Sequence, residues 1–451
     1  MRKYIARGIG YPLQDFVRRT TILKTLNLLR ESQFWDKNKL YDYRLMKLKN
    51  LIDYAFFNVP YYQNLFNSIK LKPNDIQTIS DIKKIPILTK DVVRRENLNL
   101  VSKNYNMRYV LKGKTGGTTG TPIITFSDPF SRSFTWASYY RWYDWMGISM
   151  YDKTATLWGS KTVLTNSLKG RTKDLIINFL QNNIEINSFE MNERTLPGIY
   201  QRINNFQPVL LKGYLSSLLY LGKYLEFVGD HSIRAKGLST TTETLLPHNR
   251  HYLEKIFNCP VYDQYGCGEV SSIAFECSKH NGLHINQEHV IVEILDEDGS
   301  DLVGQTGRLI ATDLDDYVMP FIRYENGDSA IYSTIQCKCG INQPLLTSIA
   351  GRTSDIIILA NGNRVHGVFF TDILYELNIL SDKIQKFQVY QDIPGNIEFR
   401  FESTVQLESG LKTSLSKSLL KFFNNVNIIY VNRLQHEENG KFRYIKTTIP
   451  Q

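Results

Sequence analysis

Between Asp15 and about Ile69 apolar residues recur at helical spacing, with Leu45, Leu48, Leu51, Ile52 and Ala55 as the clearest example, and the segment is predicted to be helical. Pro60 and the aromatic pair Tyr61 and Tyr62 interrupt that pattern. IPIL, Ile85 to Leu88, then reads as a short apolar connector before another helix at Lys90. From Arg108 to Ile349 the pattern changes. Short apolar runs (TATLW at 154–158, PVLLKGY at 208–214, HVIVEIL at 289–295, GRLIATDL at 307–314) alternate with helical stretches such as Leu215 to Phe227, which predicts α/β layers. Asp296 to Gly307, DEDGSDLVGQTG, carries the turn residues expected between two strands of a hairpin.

After Gly351 the runs IIIL (356–359), KFQVYQ (386–391), NIEFRFE (396–402) and VNIIYVNRL (426–434) are interleaved with helical segments, as in a separate α+β unit of about a hundred residues. The expected organisation is a large α/β domain over 1–350, with 1–100 a mainly helical entry layer, followed by a small α+β domain over 351–451.

Composition agrees with a folded chain: 42% of the 451 residues are hydrophobic and 22% charged. Neither an apolar run of membrane-spanning length nor a secretory leader is recognisable, so a cytoplasmic address is expected. Five cysteines in such a chain point to thiol or metal chemistry before a disulfide framework. The formal charge of +10 is spread along the sequence without the signature of a nucleic-acid-binding module, and no nucleic-acid partner is expected. The basic amphipathic amino terminus is read as a helical layer on the main domain, with peripheral contact to a membrane or to polysaccharide-assembly enzymes as its alternative role.

Chemistry enters at TGGTTGTP, Thr115 to Pro122. Its glycines let backbone amides approach an anion and its threonine hydroxyls add donors, a composition suited to a triphosphate. Gly113, Lys114 and Thr115 spell the end of a Walker loop, but the first glycine of that motif would fall at Arg108, which rejects it. YGCGE, Tyr265 to Glu269, offers a ring for stacking, glycines for close approach and a carboxylate for Mg²⁺. RYENGD, Arg323 to Asp328, and GRTSD, Gly351 to Asp355, combine carboxylates that can accept from ribose hydroxyls with arginines that can donate. In NGKFRY, Asn439 to Tyr444, Gly440 frees Lys441 to act as a point charge. Alone, YGCGE is as well explained by a strand-end turn with a solvated glutamate, RYENGD and GRTSD are unremarkable, and a lysine in a terminal turn is usually solvated; the phosphate reading of TGGTTGTP outweighs that of a flexible surface turn.

In this order the motifs resemble the adenylate-forming superfamily over the whole chain, and within it the phenylacetate-CoA ligase branch and the CapK-type proteins of capsular polysaccharide gene clusters. LMKLKNLIDYAFFNVPYYQNLF, IPILTKDVVRRE, GLHINQEHVIVEILDEDG, MPFIRYENGD and GRTSDIIILANGNRVHG carry the resemblance beside the nucleotide motifs. It implies that Thr115, Gly116, Gly117, Thr118, Thr119 and Gly120 wrap the ATP phosphates. Tyr265 and Gly266 would lie on adenine, Glu269 on Mg²⁺ and Asp328 on the ribose, with Arg352 and Glu243 also at the nucleotide. Thr118, Glu269 and Lys441 would be catalytic, and Asp355 the hinge of the small domain. The implied reaction is ATP-dependent activation of a carboxylate as acyl-AMP, followed by transfer to CoA, another thiol or an amine. The alternative is transfer of AMP to a hydroxyl, as in coenzyme F390 synthetase-like relatives. Three positions depart from the wider pattern: Ile123 follows the loop proline in place of lysine, Gly268 precedes Glu269 in place of threonine, and Asn326 stands at the usual threonine before Asp328.

Cys277, His284, Cys337 and Cys339 form a second constellation. Three thiolates and an imidazole make a tetrahedral zinc site, and CKCG supplies two ligands with a glycine for the turn. Some phenylacetate-type relatives carry such a site with the histidine in GLH, here His284; His280 is the competing fourth ligand. The expected zinc is structural.

Overall fold

The computed structural model describes residues 2–114, 123–158, 175–352, 356–361, 364–366, 369–370, 373–374, 377, 379, 386–403, 405–435 and 443–449. Its centre is a five-stranded, all-parallel sheet in the order Asn183–Asn187, Thr154–Trp158, Leu210–Tyr214, Gly237–Thr241, Val261–Tyr262. The helices Leu196–Phe206, Leu215–Val228 and Pro247–Phe257 bury leucine and isoleucine side chains, including Ile203, Leu218, Leu221 and Leu253, in one core with Leu211 of the sheet. These are the alternating strands and helices that the sequence predicts, and they run parallel because each helix returns the chain to the starting edge.

A seven-stranded antiparallel sheet follows, in the order Val290–Leu295, Thr306–Asp313, Tyr324–Tyr332, Leu345–Arg352, Leu283–Ile285, Ser271–Glu276, Gln264–Cys267. The hairpin expected around Asp296 to Gly307 joins its first two strands. The entry helices cover this sheet. Lys37–Asn58 is capped by the Asp36 carboxylate, which accepts from the amides of Asn38 and Lys39 at 3.0 and 2.9 Å, and it sends Leu48, Leu51, Ile52 and Ala55 into one core with Ile294, Leu309 and Tyr324. The connector around Leu88 does more than connect: its amide donates to the Arg323 carbonyl at 2.9 Å, and its carbonyl accepts from Glu325 at 3.0 Å.

The helix Pro129–Trp145 lies between the two sheets, since Phe134, Tyr140 and Trp142 share a core with Leu210 and Tyr262 of the parallel sheet and Phe275 of the antiparallel one. The helix Ile22–Ser32 packs there through Ile22, Leu26 and Leu29, as the helical-layer reading expects, whereas Tyr4, Ile9, Leu13, Phe16 and Val17 nearer the amino terminus remain exposed. Among the described residues no helix is long and apolar enough to cross a membrane.

In the carboxy-terminal region a four-stranded mixed sheet runs Asn425–Val431, Asn396–Glu402, Lys386–Gln391, Ile445–Thr447, with the helix Ser409–Leu419 supplying Leu415 and Leu419 to its core. Leu246 of the preceding region enters that core. Architecture and fold class are therefore α/β with a mixed carboxy-terminal sheet, as read from the sequence.

Candidate active site

Two of the predicted nucleotide motifs meet on the antiparallel sheet. Gln264–Cys267 is its far edge, three strands beyond Leu345–Arg352 and four beyond Tyr324–Tyr332 in the hydrogen-bonding order. Yet the Tyr265 hydroxyl donates to Asp328 Oδ2 at 2.7 Å, and the Tyr324 hydroxyl donates to Glu269 Oε1 at 2.9 Å. The sheet curls until its edge returns over the Tyr324–Tyr332 strand. Gly266 permits this bend: a Cβ there would lie 2.0 Å from the Ser271 carbonyl oxygen.

Asn326 completes the cluster. Its side-chain amide donates to the Tyr265 hydroxyl at 2.6 Å and to Asp328 Oδ2 at 3.1 Å, and its carbonyl accepts from the Asp328 amide at 3.0 Å. The departure from threonine thus places a longer side chain that orients both the aspartate and the tyrosine. Burial, reinforced by the neighbouring Asp328 charge, pushes the Tyr265 hydroxyl well above the usual phenol range. Burial together with Glu269 does the same to Tyr324. Both phenols are therefore fixed as donors to carboxylates. Asp328 also pairs in register with Arg352 on the next strand, which is described through its backbone.

Glu243 stands past the carboxyl end of the parallel strand Gly237–Thr241, and accepts from the Ser216 amide at 3.1 Å and the Ser216 hydroxyl at 2.7 Å at the start of the helix Leu215–Val228. Thr242 beside it holds φ at +69°, a costly conformation for a β-branched residue and a mark of an over-determined turn. Sequence reading places Arg323 among the nucleotide donors, but the structure gives it another task. Its buried guanidinium pairs with Glu293 at 2.9 and 3.0 Å and donates to the Ile85 carbonyl at 2.7 Å, clamping the entry layer to the sheet. The loop residues Thr115, Gly116, Gly117, Thr118, Thr119 and Gly120, the hinge Asp355 and Lys441 lie outside the described residues; the hairpin Leu111–Lys114 with Ile124–Ser127 flanks the loop.

The thiol and imidazole constellation is assembled in space. The ligand atoms of Cys277, His284, Cys337 and Cys339 all lie within 4.8 Å of one another. Cys277 Sγ is 3.6 Å from Cys337 Sγ, and Cys339 Sγ is 3.2 Å from His284 Nε2. His284 Nδ1 donates to the Gln343 carbonyl at 2.9 Å, which turns the Nε2 lone pair toward the thiols, and burial lowers the pKa of the ring toward its neutral form. The amides of Lys279 and Ile341 approach Cys277 and Cys339 Sγ at 3.4 Å each. His280 is elsewhere, 3.1 Å from an Arg250 nitrogen and 3.3 Å from Glu276. The geometry selects His284. A second buried group, His289 with Asp313 and Asp315, already has a cation: Lys47 Nζ sits 2.6 Å from Asp315.

No family model matches the chain. Whole-chain relatives do. Protein CapK of Staphylococcus aureus is 24% identical over 421 residues, covering 90% of this chain and 89% of that protein. The phenylacetate-coenzyme A ligase of Pseudomonas putida is 22% identical over 368 residues and 80% of each chain, and that of Escherichia coli K12 25% identical over 339 residues. Among solved structures, 2-hydroxyisobutyryl-CoA ligase in its postadenylation state with 2-HIB-AMP superposes with a TM-score of 0.76 at 17% identity, over 92% of this chain and 91% of that one.

Over most of its length the chain resembles adenylate-forming ligases, with CapK and phenylacetate-CoA ligases as relatives in sequence and acyl-CoA ligases as neighbours in fold.

The same 2-hydroxyisobutyryl-CoA ligase in its thioesterification state, with 2-HIB-AMP and CoA, matches with a TM-score of 0.63 at 18% identity. Asn326, marked in the sequence as a departure from threonine, contacts both Tyr265 and Asp328, whereas Gln264, whose amide nitrogen contacts the Thr241 hydroxyl, was not singled out by sequence reading; its signal was only adjacency to Tyr265.

Proposed function

We propose that this protein is an AMP-forming acid ligase, which activates a small carboxylic acid with ATP and passes the acyl group to CoA or to another thiol or amine. The observation that carries this reading is the convergence of Tyr265, Asn326 and Asp328 with the adjacent Tyr324 and Glu269, on a fold shared with ligases solved with acyl-adenylates. One oxygen of the acid attacks the α-phosphorus and pyrophosphate leaves; the acceptor thiolate or amine then attacks the acyl carbon and AMP leaves. Asp328, held by Tyr265 and Asn326, is oriented to accept from the ribose. Glu269, held by Tyr324, would hold a Mg²⁺ ion, which would supply positive charge to offset the negative charge of the phosphates. The loop from Thr115 to Gly120 would supply donors to the phosphates, with Thr118 among the catalytic groups, and Arg352 and Glu243 would be further contacts of the nucleotide. A place in surface polysaccharide assembly is supported by the relationship to CapK alone.

The test is carboxylate-dependent exchange of labelled pyrophosphate into ATP over a broad panel of acids. Exchange with at least one acid is expected; none, beside an active control ligase, would sink the reading. Mass spectrometry of the full reaction should find free AMP with a new thioester or amide, whereas a stable AMP ester on a hydroxyl would redirect the reading to nucleotidyl transfer.

The donor set of three cysteines and one neutral imidazole suits Zn²⁺, and with all four positions filled by protein the ion would be structural. Metal analysis of protein purified without chelator is expected to return about one zinc per chain. Cys337→Ser should lose that metal and lower the thermal midpoint by several degrees. Full-length protein with no metal and an unchanged midpoint in the variant would remove the assignment.

A further inference from the structure

Lys212 is an unusual residue for its position. The strand Leu210–Tyr214 has Thr154–Trp158 on one side and Gly237–Thr241 on the other, so its side chains reach solvent only through space above a sheet face. Leu211 is buried among the helices of the parallel sheet. Lys212 and Tyr214 point the other way and are only half-buried, as are Thr156 and Trp158 at the matching positions of the neighbouring strand. Their alternation marks the face of the sheet opposite Leu211, and Trp158 and Tyr214 bring it to the carboxyl ends of the strands, where ligands of open α/β sheets bind.

The helix Pro129–Trp145 forms the opposite wall. Lys212 Nζ donates to the Tyr143 hydroxyl at 3.1 Å and lies 5.9 Å from the centre of the Trp136 ring. Trp158 and Tyr214 stand with ring centres 4.8 Å apart. From this wall the Tyr139 hydroxyl donates to Gln264 Oε1 at 3.1 Å, one residue before Tyr265. A row of aromatic side chains, Tyr139, Trp136 and Tyr143, therefore links the candidate nucleotide site to the ammonium of Lys212.

That ammonium forms no ion pair with any described residue. Burial pulls its pKa down to about 8, and the Glu185 carboxylate opposes this only in part. A desolvated cation among aromatic rings is costly unless an anion comes to meet it, and a ligand that brings one is bound selectively.

We propose that Lys212 reads a second negative group on the acid, so that the substrate class is a ring-bearing acid with an anionic group remote from the carboxylate that is activated. This rests on the ligase reading and deepens it.

The experiment is pyrophosphate exchange with matched acids, phenylacetate against 4-carboxyphenylacetate and 3-phenylpropionate against 3-(4-carboxyphenyl)propionate, on the full chain. The dianionic member of at least one pair is expected to be favoured about tenfold or more in kcat/KM. Lys212→Met should collapse that ratio by about tenfold, while Lys212→Arg keeps most of it. Absence of a preference of the wild-type protein for the dianionic acid over the monoanionic one in both pairs overturns the proposal whether or not any variant folds, and so does an unchanged ratio in folded Lys212→Met. Exchange with no acid at all overturns the ligase reading itself, and the lysine assignment with it.

Discussion

Glu288→Ala is expected to destabilise the protein by about 3–5 kcal/mol, because it leaves a fully buried guanidinium without its counter-charge. Arg141 and Glu288 have side-chain exposures of 0% each and meet at 2.8 Å. Glu288 also accepts from the Ser32 hydroxyl at 2.5 Å and from the Gln343 amide, and Arg141 donates to Asn286 Oδ1 at 2.7 Å and to the Leu29 carbonyl at 3.3 Å. One ion pair therefore ties together the entry helix Ile22–Ser32, the central helix Pro129–Trp145, the segment after the strand Leu283–Ile285, and the stretch that follows the CKCG knuckle. Removing one partner exposes the cost of the other's desolvation. Replacing both, as Arg141→Met with Glu288→Leu, should return much of the loss, since matched apolar groups carry no such penalty. Denaturant unfolding of the two single variants and the double variant measures this. A loss below about 1 kcal/mol in Glu288→Ala would mean that the network holds the fold no better than a surface pair does.

Lys441→Ala is the second large effect, expected to lower pyrophosphate exchange by about 10²–10³-fold. Attack on the α-phosphorus moves negative charge onto the phosphate oxygens, and a lysine contacting both the acid and that phosphate stabilises the transition state more than the ground state. The assignment comes from the position of NGKFRY in the resemblance, and Lys441 lies outside the described residues. A readout that separates a catalytic lysine from a structural one is therefore needed. The resemblance implies that the small domain turns about Asp355 and presents a different face in the second half-reaction, so acyl transfer from a supplied acyl-adenylate should fall far less than exchange in the same variant. Equal losses in both half-reactions would assign Lys441 to stability, and an unchanged exchange rate would place the charge on another residue.

Much of the fold is legible in the sequence because it is local. Thr154–Trp158, Lys386–Gln391 and Asn396–Glu402 occupy the ranges that their apolar alternation marks, since a strand's period of two is written in neighbouring residues. YGCGE is less legible. As a sequence it reads as a turn with a solvated glutamate; in the structure Tyr265 is a core residue and Glu269 accepts from a buried phenol. Arg323 errs the other way, read beside the nucleotide and found as a buried clamp on Glu293. Nothing in RYENGD distinguishes these roles, because the partner carboxylate is 30 residues distant.

The sequence by itself determined the order and spacing of the nucleotide motifs, the alternation of strands and helices, and the four residue types of the thiol and imidazole set. Those features depend on side-chain chemistry and short-range periodicity. Only the tertiary structure decided which residues meet. Tyr265 and Asp328, 63 residues apart, touch because the antiparallel sheet curls, and a curl is the summed twist of many strands with no local signature. His284 displaces His280 as the fourth candidate ligand because pairing of the strand Leu283–Ile285 with its neighbours aims one ring at the cysteines while Arg250 and Glu276 hold the other. Lys212, one more lysine in the sequence, becomes a candidate reader of substrate charge only when the central helix closes over its strand.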